Sequence, residues 1–151
     1  ILMSVEKESE DIYYKNMELH EVTEHRESEA IIATACRLAK EAKASAIVGM
    51  TRSGYTAFQL SHCRPKSDLF IFTGNRLLLT TLNLVWGVRA FFYDGQEGTD
   101  ESIQDVHEIL KERGMVKSGD VIINTASMPL HRHGLTNMIK ISRVKASRNT
   151  R

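Results

Sequence analysis

The sequence predicts an α/β fold, a three-layer αβα sandwich around a five-stranded, mostly parallel sheet with one antiparallel edge strand. Three observations carry that expectation. Short apolar runs alternate with stretches of helical period from Ala46 to Val121, the pattern of crossover units. Several of these runs are apolar throughout rather than at every second position, as in strands covered on both faces. The last two runs leave no room for a helix between them, so they are expected to be antiparallel neighbours at the sheet edge.

Taken in order, Ile1 to about Asn16 is acidic with helical tendency, and a polar connection follows through His25. A helix spans Glu27 to Lys43, with Ile31, Thr34, Ala35, Leu38 and Ala42 at core-facing spacing and Cys36 as a buried small residue. Strand Ala46–Met50 breaks into Thr51-Arg52-Ser53-Gly54 and then a helix, Tyr55–His62, stopped near Pro65. Leu69–Thr73 is the second strand, and Gly74-Asn75 turns it into helix Arg76–Leu84. Val88–Tyr93 is the third strand, closed by Asp94-Gly95. Helix Glu101–Arg113, capped by Thr99 or Asp100, carries Ile103, Val106, Ile109 and Leu110 on one face and ends at Gly114. After the turn Lys117–Asp120 come strand Val121–Thr125, a loop with Pro129 and Gly134, and a last strand, Asn137–Val144.

A chain of 151 residues, 42% hydrophobic and 26% charged, is one ordinary globular domain with a full core. A net charge of +1 without a basic stripe argues against a nucleic-acid partner, and no apolar run approaches the ~20 residues of a membrane span. The two cysteines, Cys36 and Cys63, have no ligand or redox spacing and suit reduced thiols in a cytoplasm. The head of the chain, Ile1-Leu2-Met3, reads as a cut from a longer protein: 1–25 the end of an upstream helix and its connection, 26–147 the domain, 148–151 a tail.

Two loops carry candidate chemistry. In the first, Thr51, Arg52, Ser53, Gly54 and Thr56 join hydroxyls, one guanidinium and a glycine to a helix start, where unpaired N–H groups and the helix dipole favour an anion. An ordinary strand-to-helix turn with a capping serine is the alternative. In the second, His131, Arg132, His133 and Gly134 offer a cationic, protonatable run on a tight bend, or a solvated hairpin loop. Both loops are expected beyond the carboxyl ends of the strands, where ligands bind in open α/β sheets. No third metal ligand accompanies His131 and His133 or His62-Cys63, and no nucleophile or paired carboxylates stand in a catalytic setting. Neither catalytic nor metal residues are expected.

The residues resemble a family. Thr51-Arg52-Ser53-Gly54-Tyr55-Thr56-Ala57 is similar to the T-[KR]-S-G-x-[ST]-A loop of pyruvate kinase C-terminal domains. Arg64-Pro65 with Leu69–Asn75, Leu84–Val88, Lys117–Ile122 and Gly134-Leu135-Thr136-Asn137 follow the family's order from about Glu27 to Val144. The resemblance implies a parent enzyme that transfers a phosphoryl group from phosphoenolpyruvate to ADP, with Mg2+ and K+ held in a barrel domain upstream and no cofactor in this chain. It also implies an allosteric and oligomerisation role in a homotetramer. The Thr51–Thr56 loop would hold a phosphate of a sugar or nucleoside monophosphate effector, and 127–134 would close over it. Gly95–Asp105 lacks the tryptophan and arginine that take a second phosphate in animal enzymes. Two other functions fit the residues, an interaction module with a vestigial pocket and a free-standing phosphotransfer domain using His131 or His133.

Overall fold

The computed structural model describes residues 12–14, 24–95, 98–128 and 135–146. The expectations for 1–11, 15–23, the histidine-bearing loop 131–134 and the tail beyond 146 lie outside the described residues.

The chain forms α1 (Arg26–Glu41), β1 (Ala46–Met50), α2 (Tyr55–His62), β2 (Asp68–Thr73), α3 (Arg76–Leu82), β3 (Val88–Phe92), α4 (Thr99–Glu112), β4 (Val121–Ala126) and β5 (Met138–Arg143). The sheet order is β3-β2-β1-β4-β5, parallel except for the β4–β5 pair. This is the predicted fold class, with β5 as the antiparallel edge. Alternate strand residues feed two cores. Ile47, Leu69, Ile71 and Ile123 face α1 and α2, while Val48, Phe70, Phe72 and Ile122 face α4. Gly49 makes close packing possible on the first side, since a Cβ there would stand 2.8 Å from Ile71 Cδ1 and 3.3 Å from Leu60 Cδ1.

Three local expectations are corrected. The buried stripe of α1 is Ser28, Ile32, Ala35, Cys36 and Ala39, so the helix is rotated from the predicted face and Thr34 is exposed. The small residues let α1 sit close to the sheet, and Ile31 and Leu38 fill its flanks. Helix α4 starts at Thr99 with Gly98 as its N-cap, and neither Thr99 nor Asp100 caps it. Asp100 instead pairs with Lys140 of β5, whose ammonium donates to it and holds its carboxyl below the usual carboxylate range. Helix α3 ends at Leu82, leaving Leu84 exposed in the following turn.

At the amino end of the sheet, residues 12–14 are strapped down. Tyr14 N–H donates to Arg64 O at 3.2 Å, and Tyr14 Oη accepts from Lys66 N–H at 3.1 Å. Arg64 lies over the Trp86 ring at 4.4 Å. No described helix is long and apolar enough to cross a membrane.

Candidate functional site at the carboxyl end of the sheet

In sheet order, β2 and β3 lie to one side of β1 and β4 to the other, so the chain reverses its winding between β1 and β4. A crevice opens where two adjacent strands send their connections to opposite faces. The loop after β1 and the loop after β4 both start at that point.

Thr51 continues the β1–β2 ladder by one bond, its N–H donating to Phe72 O at 3.1 Å. Its Oγ1 accepts from Gly54 N–H at 3.0 Å, and Ser53 Oγ accepts from Tyr55 N–H at 3.4 Å. The N-cap of α2 is Gly54 rather than a serine, with φ at +88°. Glycine is favoured there because an L side chain would be strained at this φ, and its Cβ would also press on Leu78 Cδ1 at 3.0 Å. The first helical bond runs from Phe58 N–H to Gly54 O, so the N–H groups of Thr56 and Ala57 precede the ladder. No acidic residue occupies the first turn of α2. Arg52 and Ser53 are exposed, and no described carboxylate pairs with Arg52. The result is a positive end of helix flanked by a guanidinium that no carboxylate meets among the described residues.

Thr56 does something different from the exposed pair. Its hydroxyl is buried and lies 2.7 Å from that of Thr136, tying the first turn of α2 to the residue just ahead of β5. Asn137 closes the root of the second loop, with Oδ1 accepting from Met128 N–H at 2.7 Å and Nδ2 donating to Met128 O at 2.8 Å. Thus both loops are fixed at their bases to one another. His131, Arg132, His133 and Gly134 themselves lie outside the described residues.

On the other flank, Tyr55 joins α2 to the start of α1. Its hydroxyl donates to Glu29 Oε1 at 2.9 Å, and its ring meets His25 edge-on at 5.3 Å. Burial and the Glu29 carboxylate push the phenol up to about 12, so it stays a donor. Among the described residues no group of His, Cys, Asp and Glu could hold a metal ion. Thr51, Arg52, Ser53 and Gly54 lie together on the turn into α2, while the Thr56 hydroxyl is turned inward to Thr136. Sequence reasoning missed Thr136, Asn137, Tyr55 and Glu29 as supports of the site. The Gly134-Leu135-Thr136-Asn137 motif held the signal for two of them, but a partner 80 positions away leaves no local pattern.

Comparison with known proteins agrees with this architecture. Residues 29–142 match the family described as pyruvate kinase, alpha/beta domain. The pyruvate kinase of Lactobacillus delbrueckii subsp. bulgaricus is 34% identical over 114 residues, covering 76% of this chain and 19% of the relative. Chloroplastic pyruvate kinase isozyme A of Nicotiana tabacum is 35% identical over 101 residues, covering 67% of this chain and 17% of the relative. The structure of Cryptosporidium parvum pyruvate kinase in complex with ADP superimposes with a TM-score of 0.73 at 24% identity, over 83% of this chain and 25% of that one, a likeness of fold. The chain thus spans about a fifth of the length of these curated relatives. With the sheet order, the loop motifs and the match over 29–142 in agreement, the chain belongs to the pyruvate kinase family, as its C-terminal alpha/beta domain.

Proposed function

We propose that this domain regulates a cytoplasmic pyruvate kinase by holding the phosphoryl group of a small metabolite at residues 51–56. The parent reaction, phosphoenolpyruvate and ADP to pyruvate and ATP with Mg2+ and K+, belongs in this reading to a barrel elsewhere in the enzyme. The observation that carries the reading is the exposed Arg52 beside the acid-free N-terminus of α2, at the winding reversal between β1 and β4. Hydroxyls of Thr51 and Ser53 accept backbone N–H bonds and keep their own protons for a phosphate oxygen. Thr56 holds the loop through Thr136, and the 131–134 run would close from the β4 side. The first turn of α4 carries Glu101, and Asp100 there is already paired with Lys140, which offers no cation for a second phosphate and favours a sugar or nucleoside monophosphate.

Titration calorimetry with a panel of sugar phosphates and nucleoside monophosphates tests this. Arg52→Ala is expected to weaken the best ligand about 10- to 100-fold, the value of a charge-assisted hydrogen bond. Unchanged affinity removes Arg52 and the cradle from the reading.

A subunit-contact role has its own observation. β5 is an edge strand whose outer side is unpaired among the described residues, and Ile141 on it is 52% exposed. A homo-oligomer formed through β5 and α1 would cover it. Sedimentation of the chain is expected to show a concentration-dependent dimer that Ile141→Lys dissociates. A monomer at all concentrations counts against it.

A further inference from the structure

Three exposed apolar side chains gather on the α2–α3 side of the molecule. Leu77 and Leu84 are each 87% exposed, and Phe58 of α2 is 46% exposed. Phe58 adjoins α3 at Gly54, where a Cβ would meet Leu78 Cδ1 at 3.0 Å and Phe58 Cε2 at 3.4 Å. Seven positions apart, Leu77 and Leu84 share one helical face, about 10 Å from each other along the axis. The backbone stays helical between them, since Asn83 is in the αR region and Leu84 N–H donates to Thr81 O at 3.1 Å. Leu82 is fully buried and Leu78 packs against the core, so the inner side of α3 is served without these two leucines. Thr80 and Thr81, exposed and uncharged, lie between them.

The charge around this stripe has one sign. From Ala42 to Tyr93 the chain carries Lys43, Arg52, Arg64, Lys66, Arg76 and Arg89 against a single carboxylate, Asp68, although the whole is nearly balanced at +1. Neither α2 nor α3 holds an acidic residue. Arg76 marks the Leu77 end, with its guanidinium over the Phe92 ring at 3.8 Å. At the Leu84 end, Arg64 lies over the Trp86 ring at 4.4 Å. No carboxylate pairs with either arginine among the described residues.

We propose that this face of α3 docks an acidic amphipathic helix of a partner protein, its apolar seam on Leu77 and Leu84 and its carboxylates on Arg76 and Arg64.

Apolar side chains seven positions apart are what one helix presents to the seam of another. A guanidinium resting on an aromatic ring keeps its edge donors for a carboxylate, which it can bind with two bonds. A bilayer fits less well. Two leucines and a half-exposed phenylalanine insert less apolar bulk than one myristoyl chain, which by itself holds a membrane only marginally. A second copy across a two-fold axis, with its α3 antiparallel, would set Arg76 of one chain against Arg64 of the other, like charge on like charge. The docking face uses neither Arg52 nor the hydroxyls of the 51–56 loop, so it stands independently of any phosphate there.

The test is fluorescence anisotropy of a labelled synthetic helix of about 18 residues, leucine along one seam and glutamate beside it, titrated with the full chain. Saturable binding is expected, weakened at least ~10-fold by Leu77→Ala combined with Leu84→Ala and several-fold by Arg76→Gln. The double-alanine chain should melt as the wild type does, because both side chains lie outside the core. The same peptide with lysine for glutamate is expected to stay free. A glutamate peptide that binds wild type and double variant equally, a lysine peptide that binds as well, or no saturation up to about 1 mM overturns the proposal. Anionic vesicles of phosphatidylserine and phosphatidylcholine that bind the wild type but not the double variant, while the peptide stays free, overturn it in favour of a lipid surface.

Discussion

Ser28 is the one residue of the described core whose chemistry is unmatched. Its hydroxyl is buried in the first turn of α1 without a hydrogen-bond partner. A buried hydroxyl in that state costs about 1–3 kcal/mol. Ser28→Ala also gains helix propensity of about 0.5 kcal/mol. Urea denaturation is therefore expected to show Ser28→Ala more stable than the wild type by about 1 kcal/mol, and a loss of stability would mean the hydroxyl has a partner after all. The turn at residues 51–54 was legible in the sequence for the opposite reason. Thr51, Ser53 and Gly54 act through bonds to residues two or three positions away, and such chemistry is written locally. Thr56 was legible as a hydroxyl but not in its use, because Thr136 decides that it faces inward.

Between elements, the least visible feature in the sequence is a polar seam under α4. His107 Nε2 lies 2.9 Å from Asn124 Oδ1, and Asn124 Nδ2 donates to Lys140 O at 3.0 Å and Ser142 Oγ at 3.1 Å. Because the Asn124 amide nitrogen is spent on β5, its oxygen needs a donor, which fixes the proton on Nε2. Burial first, and the Lys140 charge with it, hold His107 below its ordinary value of 6.5, against the Asn124 bond that raises it. The folded chain thus prefers neutral imidazole, while the unfolded chain takes up a proton near the ordinary value. The contribution is complete above that value and is lost as pH falls through it toward the folded value. Thermal melts are expected to hold steady above neutrality and drop on acidification, and His107→Gln, which keeps a donor without titrating, should flatten that drop. An equal acid slope in the variant assigns the titration elsewhere. Periodicity placed α4 correctly through Ile103, Val106 and Leu110, yet it passed over His107 on the same inner side. It misplaced the face of α1 because alanines and a cysteine, not the larger Ile31 and Leu38, define how near that helix comes.

At the scale of the whole molecule, strand positions and fold class could be read directly, since fully apolar runs and crossover spacing leave few arrangements. Apart from the antiparallel β4–β5 pair, what could not be read was which strands adjoin in space. The pairing of Ile47 with Ile123 and of Thr56 with Thr136 joins distant parts of the chain, and the candidate site exists only where those parts meet.

That long-range tie between Thr56 and Thr136 has a kinetic consequence. Contacts of such sequence separation require closure of a large loop and are expected late in folding. A chain that has formed β1 and β2 but not yet docked β4 and β5 has the hydroxyl loop without its brace. A phosphate held at residues 51–56, as proposed above, would then find its site only after the rate-limiting barrier, so it should slow unfolding and leave the refolding rate nearly unchanged. Stopped-flow chevrons recorded with and without the best-binding phosphate measure this, and a ligand that speeds refolding would place the cradle in the folding nucleus instead.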